Sequence, residues 1–476
     1  MKKLPIGIQT FEKIRSDDYI YIDKTDIAFD IIKSYDYVFL SRPRRFGKSL
    51  FLDTLRNIFE GKKELFKGLA IYDKWNWEET YPVIKISFKG SLHGKEEIEE
   101  RLRGILRNNE EDLDVKCNEK VAVYEFFAEL IKKASQRYNQ KVVILIDEYD
   151  KAILDNIEDL KKAEEARDVL RAFYSVIKDS DEYIRFAFLT GVTRFSKASI
   201  FSGLNMLTDI TLDERYGNVC GYTQKDLEES FKEYLNKING DLEKIKEWYN
   251  GYYFLKDKLY NPFDILQFFD KNGLFDNYWF ETGTPTFLIK LIKERNYFLP
   301  ALSNLKVDKK LLSSFDIENL DLEVILFQSG YLTIDEMIVD EDGDIAYKLK
   351  LPNREVKSSL HRFIVDYLYG DRSLRYKDLS KALKGRDMES FKVNLISLFA
   401  SIPYNNFVKN NISEYEGFYA SVLYAYLQSL GFDIEGEDVT NQGRIDLAVK
   451  LPDVIYLFEF KVIDEEPLRQ MKEKGY

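Results

Sequence analysis

The stretch Tyr37-Val-Phe-Leu-Ser-Arg-Pro-Arg-Arg-Phe-Gly-Lys-Ser-Leu-Phe51 limits the fold more than any other part of the chain. Its apolar start, Tyr37 to Leu40, reads as a buried strand. A loop closing on Gly47-Lys48-Ser49 follows, and from Leu50 the apolar residues recur at helical period. Strand, loop and helix in that order make a phosphate-binding loop. Backbone N–H groups wrap a β-phosphate, Lys48 bridges the outer phosphates, and the Ser49 hydroxyl is a ligand for Mg²⁺. Arg42 stands where such loops usually have their first glycine. An arginine adopts a left-handed backbone less cheaply than glycine, so this loop is expected to open differently.

A second motif supports that reading. Val142-Val-Ile-Leu-Ile-Asp-Glu-Tyr-Asp150 begins with five aliphatic residues, the pattern of a parallel strand buried on both faces. Carboxylates follow at its C-terminal end, where open α/β sheets hold ligands. Asp147 is expected to hold Mg²⁺ through water, and Glu148 to orient or deprotonate the attacking water. A further strand, Ile184 to Thr190, runs into Gly191-Val-Thr-Arg194. Thr190 or Thr193 could read the γ-phosphate, and Arg194 could either stabilise transition-state charge or cap the loop. The expected nucleotide contacts are thus Arg45, Phe46, Gly47, Lys48, Ser49 and Thr190, with Ser49 and Asp147 on the metal.

Composition narrows the alternatives. A chain of 476 residues is too long for one core. Two cysteines make neither a disulfide framework nor a zinc cage, and two histidines argue against Ser-His-Asp hydrolysis or a multi-histidine metal site. A net charge of −12 disfavours coating nucleic acid through bulk positive charge, though not a local basic groove. With no stretch of transmembrane length, a cytoplasmic protein with no membrane partner is expected.

The remaining segments read as helices near residues 95–108, 119–138, 161–177, 224–238 and 242–249, with Val83–Phe88 as a strand. Residues 305–352 combine two short helices with a hairpin around Asp342-Gly343, which suggests a winged helix. The segment 320–328 carries Asp321 and Glu323 and little positive charge, which favours a structural lid over a DNA reader.

The tail holds a second candidate site. Gly443–Lys450 and Val454–Val462 read as antiparallel strands that bring Lys450 opposite Ile455 and Asp446 opposite Glu459. Two carboxylates facing across a sheet repel each other, and a divalent cation between them turns that repulsion into binding. Lys461 shares a face with Glu459 and could stabilise charge on a scissile phosphate, as Mg²⁺- or Mn²⁺-dependent phosphodiester hydrolysis requires.

Five stretches together carry a family resemblance: Leu4-Pro-Ile-Gly-Ile-Gln-Thr-Phe11, Tyr21-Ile-Asp-Lys-Thr25, Ser41-Arg-Pro-Arg-Arg-Phe-Gly-Lys-Ser49, Leu145-Ile-Asp-Glu-Tyr-Asp150 and Leu189-Thr-Gly-Val-Thr-Arg-Phe-Ser196. They resemble the prokaryotic AAA-ATPase-like family, whose members usually carry a C-terminal PD-(D/E)XK nuclease domain. The resemblance implies an α/β protein in four parts. An AAA-like P-loop ATPase domain with a parallel sheet of about five strands spans 1–220, and a helical lid spans 221–304. A winged-helix-like and helical connector covers 305–410, and a nuclease-like domain 411–476. In that last domain Asp446, Glu459 and Lys461 match the active-site motif, Glu416 the helix acid, and Gln470 a residue of the following helix. The family continues into a further strand beyond Tyr476, so this domain is expected to be incomplete at its C-terminus. The implied activity is ATP binding and hydrolysis regulating a metal-dependent nuclease on DNA or RNA. The alternative is a non-enzymatic nucleotide switch or scaffold with an inactive nuclease-like domain. Self-association into a homo-oligomer is left open.

Overall fold

A computed structural model describes residues 1–88, 90–194, 200, 204, 206–238, 240–280, 292, 299–303, 305–312, 317–318, 321–369, 376–400, 416–440 and 443–460. They form two compact units. The first comprises Met1–Lys246, Asn250–Phe275 and Asp308–Gly330; the second comprises Glu247–Tyr249, Asp276–Val307 and Tyr331–Tyr476.

The first unit opens with helices α1 (Phe11–Ser16) and α2 (Thr25–Ser34). Lys24 is the N-cap position of α2 and makes no side-chain cap; Asp23, one residue earlier, accepts from the Thr25 amide at 2.9 Å and hydroxyl at 2.7 Å. Then come β1 (Tyr37–Ser41), α3 (Lys48–Phe59), β2 (Val83–Ser87), α4 (Gly94–Asp112), α5 (Val123–Tyr138) and β3 (Val142–Asp147). After the short α6 (Lys151–Leu154) and α7 (Leu160–Asp179) the chain forms β4 (Ile184–Gly191) and β5 (Thr208–Asp209). The strands make one five-stranded sheet in the order β2-β3-β4-β1-β5, parallel throughout. Every residue of β1 and β3 is buried, as expected for strands covered on both faces. Helix α3 packs on β3 and β4, α5 on β3, and α4 on β2. Phe127 of α5 stacks on Phe173 of α7 with ring centroids 4.5 Å apart. Burying each such side chain contributes roughly 1.5–3 kcal/mol.

Element boundaries shift where long-range partners intervene. The helix expected from residue 119 begins at Val123, because Glu119 is held by α4: Arg103 donates to its carbonyl at 2.7 Å and Arg107 to its carboxylate at 2.5 Å. The helix expected over 224–238 is two, α8 (Gln224–Ser230) and α9 (Lys232–Ile238). Phe231 breaks them, turning into the core to stack on Phe269 at 5.3 Å. Helix α10 (Leu242–Tyr249), an unforeseen hairpin of β6 (Asn250–Tyr253) and β7 (Lys258–Tyr260), and α11 (Pro262–Asp270) follow.

The segment read as winged-helix-like is divided between the units. Helices α12 (Lys309–Leu312) and α13 (Leu322–Ser329) belong to the first. Leu322 and every residue from Val324 to Gln328 are buried in α13, so it presents no recognition face, in keeping with a structural role. The second unit holds β8 (Leu305–Asp308), β9 (Thr333–Val339) and β10 (Ile345–Lys350) in the order β8-β10-β9. The hairpin was expected, whereas the third strand was not. Helices α14 (Arg354–Tyr369), α15 (Tyr376–Lys384), α16 (Met388–Ala400) and α17 (Glu416–Ser429) lead to a three-stranded sheet of β11 (Asp433–Thr440), β12 (Gly443–Leu451) and β13 (Val454–Phe458).

Candidate functional site

The loop after β1 is built on an arginine. The Arg42 amide donates to the Gly191 carbonyl at 3.2 Å, fixing the loop to the end of β4. Its guanidinium is buried and donates to the carbonyls of Ser41 (2.9 Å), Thr211 (2.8 Å), Tyr216 and Gly217 (both 3.3 Å), lying 4.0 Å over the Phe254 ring. Burial pushes its pKa down to about 10. Arg42 therefore anchors the loop from behind, and the left-handed turns fall later, at Arg45 (φ 65°) and Gly47 (φ 96°). Nothing lies within 4 Å of where a Gly47 side chain would start, so the loop's inner surface is open there. Phe46 is fully buried, its ring edge-on to Tyr252 and Phe254, and only its backbone belongs to the loop. Arg45 is exposed, its guanidinium 5.2 Å from the Phe263 ring centre.

Lys48 opens α3, with Ser49 half-buried beside it. The Lys48 ammonium is buried and donates to the carbonyls of Arg42 and Pro43, each at 2.9 Å. Burial lowers its pKa, while Asp147, Asp150 and Glu148 pull it back up. Those acids lie on or just after β3, one strand removed from β1 with β4 between them. The tertiary fold has brought the loop lysine and the distant acids to one end of the sheet. The nucleotide fits this donor set: a helix N-terminus, an open glycine loop and a desolvated ammonium all favour polyphosphate.

Asp147 is buried, and its Oδ1 accepts from the Glu148 amide at 3.1 Å. Glu148 has a left-handed backbone (φ 54°) and an exposed side chain. Protein crowded on its inner side desolvates the carboxyl and, with the Asp147 charge adding to the effect, raises its pKa. Such a shift suits a group that takes up a proton.

The next two residues form a clasp that sequence reading did not assign. Asp150 Oδ2 accepts from the amides of Val192 (2.9 Å) and Thr193 (2.6 Å) and from the Thr193 hydroxyl (2.6 Å). The Tyr149 amide donates to the Thr190 carbonyl at 3.1 Å and its hydroxyl to the Thr193 carbonyl at 3.0 Å. Gly191 permits this closeness: a Cβ there would lie 2.5 Å from both Asp150 Oδ1 and Tyr149 Cδ1. Asp150 and Gly191 stood in the quoted motifs, but only their juxtaposition shows the role.

Thr190, expected at the γ-phosphate, is instead spent within the sheet. It is fully buried and its hydroxyl donates to the Leu40 carbonyl at 2.8 Å, joining β4 to β1. Thr193 is committed to Asp150. Arg194 donates to Asp209 Oδ2 from Nε (2.9 Å) and Nη2 (2.5 Å), while its amide donates to Gln328 Oε1 at 2.9 Å. Of the two roles considered for it, this geometry matches the loop anchor.

Beside the loop lies a small open cavity of about 70 Å³. Five stretches of chain line it: Pro5, Ile20–Ile22 with Lys24, the loop and helix residues Phe46, Gly47, Leu50 and Phe51, Val219–Tyr222, and Pro262. No local pattern marks these residues as a group.

In the second unit, β12 and β13 pair with Lys450 opposite Ile455 and Leu447 opposite Phe458. That is the expected register, and it brings Asp446 and Glu459 to the next position, just past the end of β13. Both are half-buried, and Asp446 Oδ2 accepts from the Phe460 amide at 2.8 Å. Lys461, Gln470 and the Glu416 side chain lie outside the described residues. Among the described residues no group of three or more His, Cys, Asp or Glu gathers as a metal site, and no helix is long and apolar enough to cross a membrane. Asp446 and Glu459 supply hard oxygen donors of the kind Mg²⁺ takes.

A glycine-lysine-serine loop between a buried strand and a helix, in a 2-3-4-1-5 parallel sheet with acids on the third strand, defines a P-loop protein of AAA-like type. Comparison with known proteins agrees. The family described as "Predicted AAA-ATPase" matches residues 5–201, and the "PD-(D/E)XK nuclease superfamily" matches residues 414–476. The chain is also 46% identical over 484 residues to the "Uncharacterized protein in vnfD 5'region" of Azotobacter chroococcum mcd 1, covering 100% of this chain and 93% of the relative. The chain belongs to the predicted AAA-ATPase family and carries a C-terminal domain of the PD-(D/E)XK nuclease superfamily.

Proposed function

We propose that this protein binds and hydrolyses ATP at the Lys48 loop, and that nucleotide state regulates a metal-dependent nuclease centred on Asp446, Glu459 and Lys461. One observation carries the first part: the parallel sheet brings Lys48, which opens α3 after the loop that follows β1, to the same sheet end as Asp147 at the C-terminus of β3. The loop amides and Lys48 hold the phosphates, the backbone of Arg45 to Gly47 shapes the cradle, and Arg42 fixes it from behind. Ser49 and Asp147 would hold Mg²⁺, which supplies charge neutralisation on the phosphates when bound. Glu148 orients the attacking water and accepts its proton. Arg194 anchors the loop that follows β4.

Support for the nuclease part is the superfamily match together with a ladder, ending at Leu447 opposite Phe458, whose next position on each strand is a carboxylate, Asp446 and Glu459. The division into an AAA-like domain over 1–220, a lid over 221–304, a connector over 305–410 and a nuclease-like domain over 411–476 belongs to the same reading. Nucleic acid, DNA or RNA, is its substrate class.

Steady-state ATPase and nuclease assays with Mg²⁺ or Mn²⁺ test both halves. Lys48→Ala is expected to abolish ATP binding. Glu148→Gln is expected to keep binding and lose about 100-fold or more in turnover. Asp446→Ala is expected to abolish cleavage of nucleic acid with ATPase intact. ATP hydrolysis unaffected by Lys48→Ala would refute the first half. Absence of any cleavage with ATP and either metal would refute the second and leave the nucleotide-switch alternative.

A further inference from the structure

We infer that Gly221 and Asn261 clamp the backbone of the phosphate loop, with Asn261 a positioning residue for polyphosphate binding; this rests on the Lys48 loop holding the phosphates. A loop that receives an anion through its amides has to turn its carbonyls away from it. Lys48 Nζ takes the carbonyls of Arg42 and Pro43. The later ones are held by residues far along the chain. The Asn261 side-chain amide donates to the Arg44 carbonyl at 3.4 Å, and the Gly221 backbone amide donates to the Phe46 carbonyl at 3.2 Å. Between them, the Arg45 guanidinium lies 5.2 Å from the Phe263 ring centre. Three consecutive loop residues thus rest on a segment that lies beyond residues 5–201, the part the ATPase family matches.

One small pairing brings the two donors together. Tyr222 and Tyr260 form an isolated antiparallel bridge, each donating its amide to the other's carbonyl, at 3.1 and 2.8 Å. In an antiparallel pair the residue before one member lies beside the residue after the other, so Gly221 and Asn261 stand side by side. Gly221 has a left-handed backbone (φ 87°), and a Cβ there would lie 2.9 Å from Phe46 Cε1, so only glycine comes this close to the loop. Asn261 is fully buried, and its two ends do separate work. Oδ1 accepts from the Phe263 amide at 2.9 Å and caps α11, while Nδ2 reaches the loop. The cap needs only the acceptor, which serine or aspartate supplies as well. An ionised aspartate has no donor for Arg44, and a serine hydroxyl stops one bond short of it. The donor end is what asparagine adds. Without it the Arg44 carbonyl loses the partner that holds it outward and can turn toward the phosphates, which it repels.

The test is calorimetric titration of the full chain with Mg²⁺ and inorganic tripolyphosphate, which has no base or sugar and so reports on the loop, together with steady-state ATPase kinetics. Asn261→Ser keeps the cap and removes the donor. It is expected to weaken tripolyphosphate binding about tenfold and to raise KM for ATP by a similar factor, with kcat within about twofold of wild type. Wild-type affinity for tripolyphosphate in folded Asn261→Ser would overturn the proposal. So would a fall in kcat with KM unchanged, the mark of a purely structural role. The wild-type chain supplies an arm that needs no variant. Hydrogen exchange at the Gly221 amide requires the clamp to open, so it should slow at least about tenfold at saturating tripolyphosphate. An unchanged exchange rate would overturn the proposal even if Asn261→Ser fails to fold. Tripolyphosphate that does not bind the wild-type chain, or binds undiminished by Lys48→Ala, is a separate result, which removes the loop reading itself.

Discussion

Removing the Asp150 carboxylate should separate nucleotide binding from turnover. Asp150 is 1% exposed and holds two amides and a hydroxyl of the segment after β4 on one oxygen. Truncation to alanine strands those three donors in a buried setting. At about 1–3 kcal/mol for each unsatisfied group, the loss is on the order of 4 kcal/mol. That is a large share of a typical stability of about 5–15 kcal/mol. At roughly 2–4 °C per kcal/mol, the unit's melting temperature should fall by about 10 °C. Below that temperature the released segment no longer fixes Tyr149, and the left-handed backbone of Glu148 loses its support. ATPase kcat should fall at least about tenfold, while KM for ATP changes little because the phosphate loop keeps its contacts. Asp150→Asn retains an oxygen where Oδ2 lies and loses only the charge assistance, so about half the effect is expected. Thermal unfolding and steady-state ATPase assays on both variants measure this. Unchanged Tm and kcat in Asp150→Ala would refute the reasoning, and so would an asparagine variant as damaged as the alanine one.

Gly191→Ala attacks the same clasp sterically, since its Cβ would lie 2.5 Å from Asp150 Oδ1 and from the Tyr149 ring; it should lower Tm and kcat together. A Gly191→Ala protein with wild-type thermal unfolding would count against the packing described. In the second unit, His361 is fully buried against Tyr424, with Nδ1 2.6 Å from the Lys357 carbonyl, and burial pushes its pKa down to about 4. The unfolded chain therefore binds this proton first, and stability is lost as pH falls from about 6.5 through 4, by roughly 3 kcal/mol at the end of that window. Urea unfolding of wild type and His361→Phe as a function of pH measures the difference, and parallel curves for the two would contradict it.

Much of the nucleotide site was legible in the sequence because its signals are local. The apolar run from Tyr37, the Gly47-Lys48-Ser49 turn and the helix after it are set by neighbours in the chain. The aliphatic run Val142–Ile146 could only be a strand buried on both faces. The register of β12 on β13 followed from taking Leu451–Val454 as a four-residue loop and counting back from Lys450 opposite Ile455, which set Asp446 against Glu459. What escaped was any role assigned by a distant partner. Arg42 read as an obstacle at a glycine position and proved to be the loop's anchor, because four carbonyls, three of them from residues 211–217, surround its guanidinium. Thr190 read as a phosphate sensor, yet strand β1 takes its hydroxyl.

The sequence by itself determined the two motifs, the strand types and the family, since periodicity, turn chemistry and motif spacing act over a few residues. Only the tertiary structure decided which polar groups are free to meet a ligand. Sheet order put β4 between the lysine and its acids, Asp150 and Gly191 closed a clasp across 41 residues, and five separate stretches of chain made one pocket. The physical reason is that a hydrogen-bonding group has few valences, and a buried one must fill them with whatever the fold brings near.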